Sequence, residues 1–392
     1  MQKINTVAPS PAIEITSKLP TVGTTIFTVM TRMAAEYGAI SLSQGAPDFP
    51  CSNELIDLIT HYMKAGFNQY APMEGLMALR EQIALKTERC YGYAPDPLSE
   101  VTVVTGATEG LFAAITAVIH PGDEVIVLEP CYDSYIPAIE LCGGKAIRIS
   151  LESETYRIPW QQLANAINSR TRLLIINTPH NPTGTILRKE DIQQLAALLK
   201  DTQILLISDE VYEHIIFDGE PHYSVLREPE LRERSFVMSS FGKTYHATGW
   251  KMGYCIAPAF LTRELRRVHQ FLVFSTHTPT QYALADYLKK PETYEDLPAF
   301  FQKKRDMFRQ MMSQTRFRLL PSEGSYFQLA SYAHMTDEGD ADYATRLTKE
   351  YGVATIPVSA FYKEGTDNKI LRFCFAKKDE TLEKAVERLA KV

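Results

Sequence analysis

The chain is expected to fold as an α/β protein: a mostly parallel sheet covered by helices, followed by a smaller α+β unit. Three features carry that expectation. Seven short apolar runs recur between residues 101 and 257, the segments between most of them have helical spacing, and the pattern changes after about residue 286. The runs are Val101–Thr105, Val125–Leu128, Ala146–Leu151, Leu173–Asn177, Ile204–Ser208, Phe236–Ser239 and Gly253–Ala257. Most are nearly continuous in apolar residues, as strands buried on both faces are. Between the fourth and fifth, Leu187–Leu199 places Ile192, Leu195, Ala196 and Leu199 on one helical face. A recurrence of roughly 20–30 residues is the length of a strand–helix unit and not a solenoid repeat.

After residue 286 a charged, proline-punctuated stretch leads into a long helical segment with Phe300, Phe301, Met307, Phe308 and Met311. Shorter β-like runs follow at Phe317–Leu320, Tyr326–Ala330, Val353–Ile356 and Leu371–Phe375, and Asp379–Leu389 closes the chain as a helix. The first 45 residues are rich in Pro and Thr, with one helix around Phe27–Glu36. The expected organisation is therefore an arm over 1–45 that serves the small domain and the functional site, a large domain over 46–285 and a small domain over 286–392.

Composition narrows the class. At 392 residues the chain has ample length for a large core, and 45% apolar with 22% charged residues is ordinary globular usage. A net charge of −6 gives no electrostatic footprint for nucleic acid. The apolar stretches fall far short of the roughly 20 residues of a membrane span. Residues 1–30 lack the layout of a signal peptide, and the six cysteines (51, 90, 131, 142, 255, 374) have neither Cys-x-x-Cys pairs nor metal-ligand spacing. Reduced thiols in a cytoplasmic protein are expected.

In open α/β sheets, ligands bind beyond the carboxyl ends of the strands. The first strand delivers Gly106-Ala107-Thr108 into a helix start, where free backbone N–H groups suit an anion; the same residues also make an ordinary helix cap. The second delivers Tyr132, able to stack on a planar ring or simply to pack. The fourth delivers Asn181 between two prolines, a rigid turn that holds an amide in place with or without a ligand. The fifth delivers Asp209 and Tyr212, and a carboxylate directly after Ile-Leu-Leu-Ile needs a cation, a protonated ring nitrogen or a capping role. The sixth delivers Ser240 and Lys243, with Lys251 eight residues further on. Most lysines are solvated surface charges, but Lys243 follows an apolar strand on the same edge as Asp209 and Asn181. A desolvated lysine there loses proton affinity and becomes an amine nucleophile for a carbonyl.

Gly242-Lys243-Thr244 is not a P-loop, because Val237 stands where the leading Gly is required. No Gly-x-Gly-x-x-Gly for a dinucleotide occurs either. One ligand satisfies all the groups named: an anion for the helix start, Ser240 and Lys251, a flat ring for Tyr132, a basic ring nitrogen for Asp209, a ring oxygen for Asn181 and Tyr212, and a carbonyl for Lys243. Pyridoxal 5′-phosphate has these features.

The segments Asn181-Pro-Thr-Gly, Ser208-Asp-Glu-Val-Tyr212 and Ser239-Ser-Phe-Gly-Lys-Thr-Tyr-His-Ala-Thr-Gly-Trp-Lys-Met-Gly253 resemble the fold type I, class I/II aminotransferases over nearly the whole chain. Ser43-Gln-Gly, Asn68-Gln-Tyr-Ala-Pro, Glu210-Val-Tyr-Glu-His and Arg372-Phe-Cys-Phe are closest to the methionine aminotransferases and the kynurenine/glutamine subgroup. The resemblance implies a ping-pong transaminase that moves an amino group from methionine, an aromatic amino acid, kynurenine or glutamine to a 2-oxo acid. It implies that Lys243 bonds the cofactor and shuttles the proton. It further implies that Asp209 holds the pyridinium, Asn181 and Tyr212 contact the ring oxygen, Tyr132 stacks, and Ala107, Thr108, Ser240 and Lys251 hold the phosphate. Tyr70 would reach the phosphate of a neighbouring subunit in a homodimer with its active sites at the interface. Arg372 would clamp the substrate carboxylate with help from Asn181 and Gly45, and Phe27 and His277 would line the side-chain pocket.

Two departures bear on specificity. Lys251 stands where many relatives have Arg, keeping the charge without the bidentate fork. Ala46 stands where many have Phe, which opens the entrance. Two other readings compete: β-elimination from cysteine conjugates with the same cofactor, and a non-catalytic cofactor-binding regulator, for which the chain offers no DNA-binding patch.

Overall fold

A computed structural model describes residues 14–392; residues 1–13 of the expected arm lie outside it. In chain order the first strands are β1 (Ile40–Ser41), β2 (Val101–Val104), β3 (Glu124–Glu129), β4 (Lys145–Ser150), β5 (Thr171–Asn177), β6 (Leu205–Asp209), β7 (Ser235–Ser240) and β8 (Gly253–Ile256). The remainder are β9 (Arg318–Leu319), β10 (Phe327–Ser331), β11 (Val353–Ala354), β12 (Ile356–Pro357) and β13 (Ile370–Cys374). Strands β2 to β8 are the seven expected runs, and they form one sheet in the order β2-β8-β7-β6-β5-β3-β4. All neighbours are parallel except at β8, which runs antiparallel to both β2 and β7.

Successive side chains of these strands enter two different cores, which is why the runs are continuous and not alternating. In β5, Leu174 and Ile176 join the larger apolar cluster while Leu173 and Ile175 join the smaller one behind the sheet. In β6, Leu206 enters the larger cluster, and Leu205 and Ile207 the smaller. The smaller cluster is completed by the helix Gly106–Val118 and by Leu261 and Leu265 of the helix Ala259–Leu272.

The chain returns from edge strand β4 across β3 to form β5, so the sheet reverses its winding between β3 and β5. This reversal leaves a crevice at the carboxyl edge. The second unit is a four-stranded antiparallel sheet, β12-β13-β10-β9, backed by the helices Leu297–Met312, Asp340–Glu350 and Asp379–Leu389. The boundary expected at residue 285 falls inside the helix Thr278–Tyr287. The arm contributes the helix Ile26–Glu36 and β1, which pairs in parallel with β11.

Candidate active site

The carboxyl edge gathers every cofactor-binding candidate except Tyr70 into one cavity of about 160 Å³, lined by Gly106, Ala107, Thr108, Tyr132, Asn177, Asn181, Asp209, Tyr212, Ser240, Lys243 and Lys251 among others, with Arg372 reaching its wall through Asn181. Strand register sets their spacing: Asn177 lies opposite Asp209, and Ser240 opposite Gly253. Gly253 is required there, because a Cβ would fall 2.6 Å from the Ser239 carbonyl and 3.1 Å from the Ala107 nitrogen. Asn177 Nδ2 donates to the Asp209 carbonyl at 2.8 Å, and its Oδ1 accepts from the Asn181 backbone N–H at 2.8 Å. One amide thus ties the turn carrying Asn181 to the strand carrying Asp209.

Asp209 is buried, and its Oδ2 accepts from the Tyr135 hydroxyl at 2.6 Å. Burial pushes its carboxyl up to about 6, against the Tyr135 bond and the Lys243 charge. Lys243, on the one-turn helix Phe241–Thr244, is pulled down to about 8, first by burial, with Arg372 and Lys251 adding repulsion. A carboxylate short of a cation and an amine of lowered basicity therefore face the same cavity.

Arg372 lies in β13, between β10 and β12, and is 1% exposed. Its Nη1 donates to Asn181 Oδ1 and its Nη2 to the Ser43 carbonyl, both at 2.7 Å, while Nε has no partner among the described residues. The guanidinium sits 4.0 Å from the ring centroid of Phe327, 5.3 Å from Phe27 and 5.2 Å from Phe361. Burial lowers it to about 10. A buried guanidinium held by neutral acceptors is an anion receptor, since a bound carboxylate would supply the missing charge.

On the other side, the helix Gly106–Val118 begins without a side-chain cap on its first-turn N–H groups, and the Thr108 hydroxyl lies 3.4 Å from the Tyr132 hydroxyl. Lys251 has φ +55° and brings its Nζ to 3.3 Å from where a Cβ on Gly106 would be. Free amides, two hydroxyls from Thr108 and Ser240, and an ammonium make a phosphate-shaped donor set. The buried Asp209 carboxylate, the Gly106–Gly253 cradle and this donor set fit pyridoxal 5′-phosphate.

Two expected residues lie elsewhere in the chain. Tyr70 is 83% exposed and packs edge-on against Phe274 at 5.3 Å. His277 precedes the helix Thr278–Tyr287 and bonds Thr280 at 2.7 Å. Neither lines the cavity. Phe27 does not line it either, but reaches the site through the Arg372 aromatic box. Gly45 contributes its carbonyl to Lys243 Nζ at 3.1 Å. Sequence reasoning missed Asn177, Tyr135 and Tyr326. Asn177 was visible as the last residue of its strand, whereas Tyr135 and Tyr326 carry no strand-end signal.

A doubly wound sheet whose switch-point crevice holds a desolvated lysine, a buried aspartate and an anion-receiving arginine defines a class of cofactor-dependent amine chemistry. The model of the family "Aminotransferase class I and II" matches residues 37–389, and the chain belongs to that family, which uses pyridoxal 5′-phosphate. It is an aminotransferase. Methionine aminotransferase from Escherichia coli K12 is 51% identical over 374 residues, 95% of this chain and 97% of the relative. A solved Escherichia coli structure described as having a methionine aminotransferase function superposes with a TM-score of 0.95 at 50% identity, covering 97% of this chain and all of its own. A kynurenine–oxoglutarate transaminase from Dictyostelium discoideum is 33% identical over 410 residues, 94% of each chain.

Proposed function

We propose that this aminotransferase binds pyridoxal 5′-phosphate in the carboxyl-edge cavity and takes L-methionine as amino donor, with a 2-oxo acid as acceptor. The observation that carries the reading is the pairing of Lys243 with Arg372. A buried amine of lowered basicity stands near a buried guanidinium whose Nε has no partner among the described residues and whose walls are the rings of Phe27, Phe327 and Phe361. An α-carboxylate answers the guanidinium, and an apolar side chain answers the rings. The identity to a methionine aminotransferase over almost the full length favours methionine among apolar donors.

When bound, the cofactor supplies a carbonyl for Lys243 and a protonated ring that accepts the electron pair left on the donor's Cα. Asp209 holds the proton at the ring nitrogen, and that cation in turn compensates the buried carboxylate. Asn181 and Tyr212 would bond the ring oxygen, and Tyr132 would pack against the ring. Ala107, Thr108, Ser240 and Lys251 hold the phosphate, with Tyr70 of a second copy reaching the same group in a homodimer. Arg372, with Asn181 and the Gly45 backbone, orients the donor so that its Cα–H faces Lys243. Lys243 Nζ would take that proton as general base and, as general acid, deliver it to the carbon supplied by the cofactor's carbonyl, not back to Cα.

The test is addition of L-methionine, without acceptor, to the cofactor-loaded protein. The visible absorbance of the bound cofactor should change, with one equivalent of the methionine-derived 2-oxo acid released per site. An unchanged spectrum with methionine, but a response to glutamine or kynurenine, would overturn the donor. Pyruvate and ammonia from a cysteine conjugate without acceptor would favour the lyase instead.

A further inference from the structure

Tyr326 immediately precedes β10 in the second unit, and its side chain is fully buried. Its ring is wedged between Phe327 at 5.0 Å, Tyr212 at 5.1 Å and Phe301 at 5.9 Å. Its hydroxyl donates to the Gly45 carbonyl at 2.5 Å, so the phenol oxygen keeps its lone pairs for another donor. Lys243 Nζ is that donor, at 3.0 Å from the Tyr326 hydroxyl and 3.1 Å from the Gly45 carbonyl. The three groups close a triangle. Gly45 permits it, because a Cβ there would fall 2.8 Å from the Phe327 ring and 3.4 Å from the Tyr326 ring.

A lysine nucleophile alternates between a bond to carbon and a free amine. In the free state a buried amine or ammonium needs acceptors, or it drifts from the atom it must deprotonate. We propose that the Tyr326 hydroxyl and the Gly45 carbonyl form the resting place of the Lys243 amine whenever that amine is not bonded to carbon, making Tyr326 a positioning residue for the proton transfer. Other groups facing the amine cannot take this part. Arg372 and Lys251 are cations, Asp209 Oδ2 is taken by Tyr135, Tyr212 offers its ring at 5.4 Å with its hydroxyl turned to Tyr326, and the Cys374 thiol is a weak acceptor. The inference rests on Lys243 being the reacting amine and is independent of which donor is used.

The experiment reads the amine directly. Cofactor-free protein is competitively acetylated across the neutral to alkaline range, and the peptide carrying Lys243 is quantified by mass spectrometry. In the wild type the midpoint should lie at about 8. In Tyr326→Phe the ammonium loses an acceptor, so the midpoint should fall by about half to one pH unit. Tyr343→Phe, which removes a buried hydroxyl that has no partner among the described residues, should leave the midpoint where it is. An unchanged midpoint in Tyr326→Phe, a rise, or an equal shift in Tyr343→Phe overturns the proposal. Should Tyr326→Phe misfold, 3-fluorotyrosine at 326 keeps the shape while weakening the acceptor, and a smaller downward shift is then required. In the loaded enzyme, Tyr326→Phe should lower the single-turnover rate at saturating donor about tenfold with donor affinity held. A change confined to affinity overturns the proposal as well.

Discussion

Asp209 is held where its ionised form is disfavoured unless a cation joins it. Burial pushes its carboxyl up to about 6 in the folded chain against an ordinary 3.8, so between these values the native state binds more protons than the unfolded one. The stability tied to it is present below about pH 4 and is lost as pH rises through about 6. Cofactor-free Asp209→Asn should therefore be more stable than cofactor-free wild type at pH 8, by on the order of 3 kcal/mol. The difference should close as pH falls toward 4, and denaturant melts at the two pH values check it; an Asn variant that is weaker at both would contradict the argument. Arg372→Lys probes the other end of the site. Losing the planar fork should reduce kcat/KM for the donor by about 100-fold while the cofactor stays bound, as steady-state kinetics beside a cofactor titration would reveal. Lys243, Asp209 and Asn181 were legible because each lies at or within four residues of the carboxyl end of an apolar run, where a charge or amide is costly without a task. Tyr135 and Tyr326 were not, because a tyrosine is at home in any core. Only the tertiary fold brings one hydroxyl to Asp209 and the other to Lys243.

The elements were legible wherever burial imposed a continuous apolar pattern. All seven strands of the large sheet and the closing helix Asp379–Leu389 fall where their sequences place them, within a residue or two at the ends. What holds the strand ends in position was not legible. Lys86, on the helix Met77–Tyr91, carries no sequence mark of burial, yet it meets Glu213 at 2.8 Å one residue beyond Tyr212. Lys86 also donates to the Tyr254 hydroxyl at 2.8 Å, which donates to Glu213 at 3.0 Å, and the Tyr91 hydroxyl donates to the same carboxylate. Burial pushes the Glu213 carboxyl up, but the Lys86 charge, His214 and these hydrogen bonds outweigh it and hold it well below the usual carboxylate range. Its contribution is thus present above the unfolded value of about 4.5 and is lost as pH falls. Lys86→Met strands a buried charge and should cost about 3–5 kcal/mol at neutral pH. A lowered denaturant midpoint with unchanged slope would bear this out. A midpoint equal to wild type would mean that the clamp is not what fixes the turn after β6.

At the scale of the molecule, the segment 43–48 ties the second unit to the Lys243 amine. Arg372 holds the Ser43 carbonyl, Tyr326 the Gly45 carbonyl and Lys377 the Ala46 carbonyl, while Asp48 accepts from the Lys378 N–H and the Thr381 hydroxyl at the start of the last helix. From the helix that follows β7, Lys243 reaches the same segment at the Gly45 carbonyl. Ala46 thus serves this segment through its backbone carbonyl. The site as one chain builds it still lacks the contact expected of Tyr70. That side chain is 83% exposed beside Phe274, and Phe271 nearby in sequence is 85% exposed, an apolar surface that a second copy would cover. If Tyr70 completes the site of a neighbour, two damaged proteins should repair each other. Lys243→Ala lacks the amine but keeps Tyr70, and Tyr70→Phe keeps the amine but lacks the hydroxyl. In a hybrid dimer one site then carries both defects and the other carries none. Refolding the two together in equal amounts should restore about a quarter of the sites to wild-type competence, well above the mean of the separate proteins. If Tyr70 instead serves its own chain, every site in every hybrid keeps one defect. The mixture would then show the average of its parts.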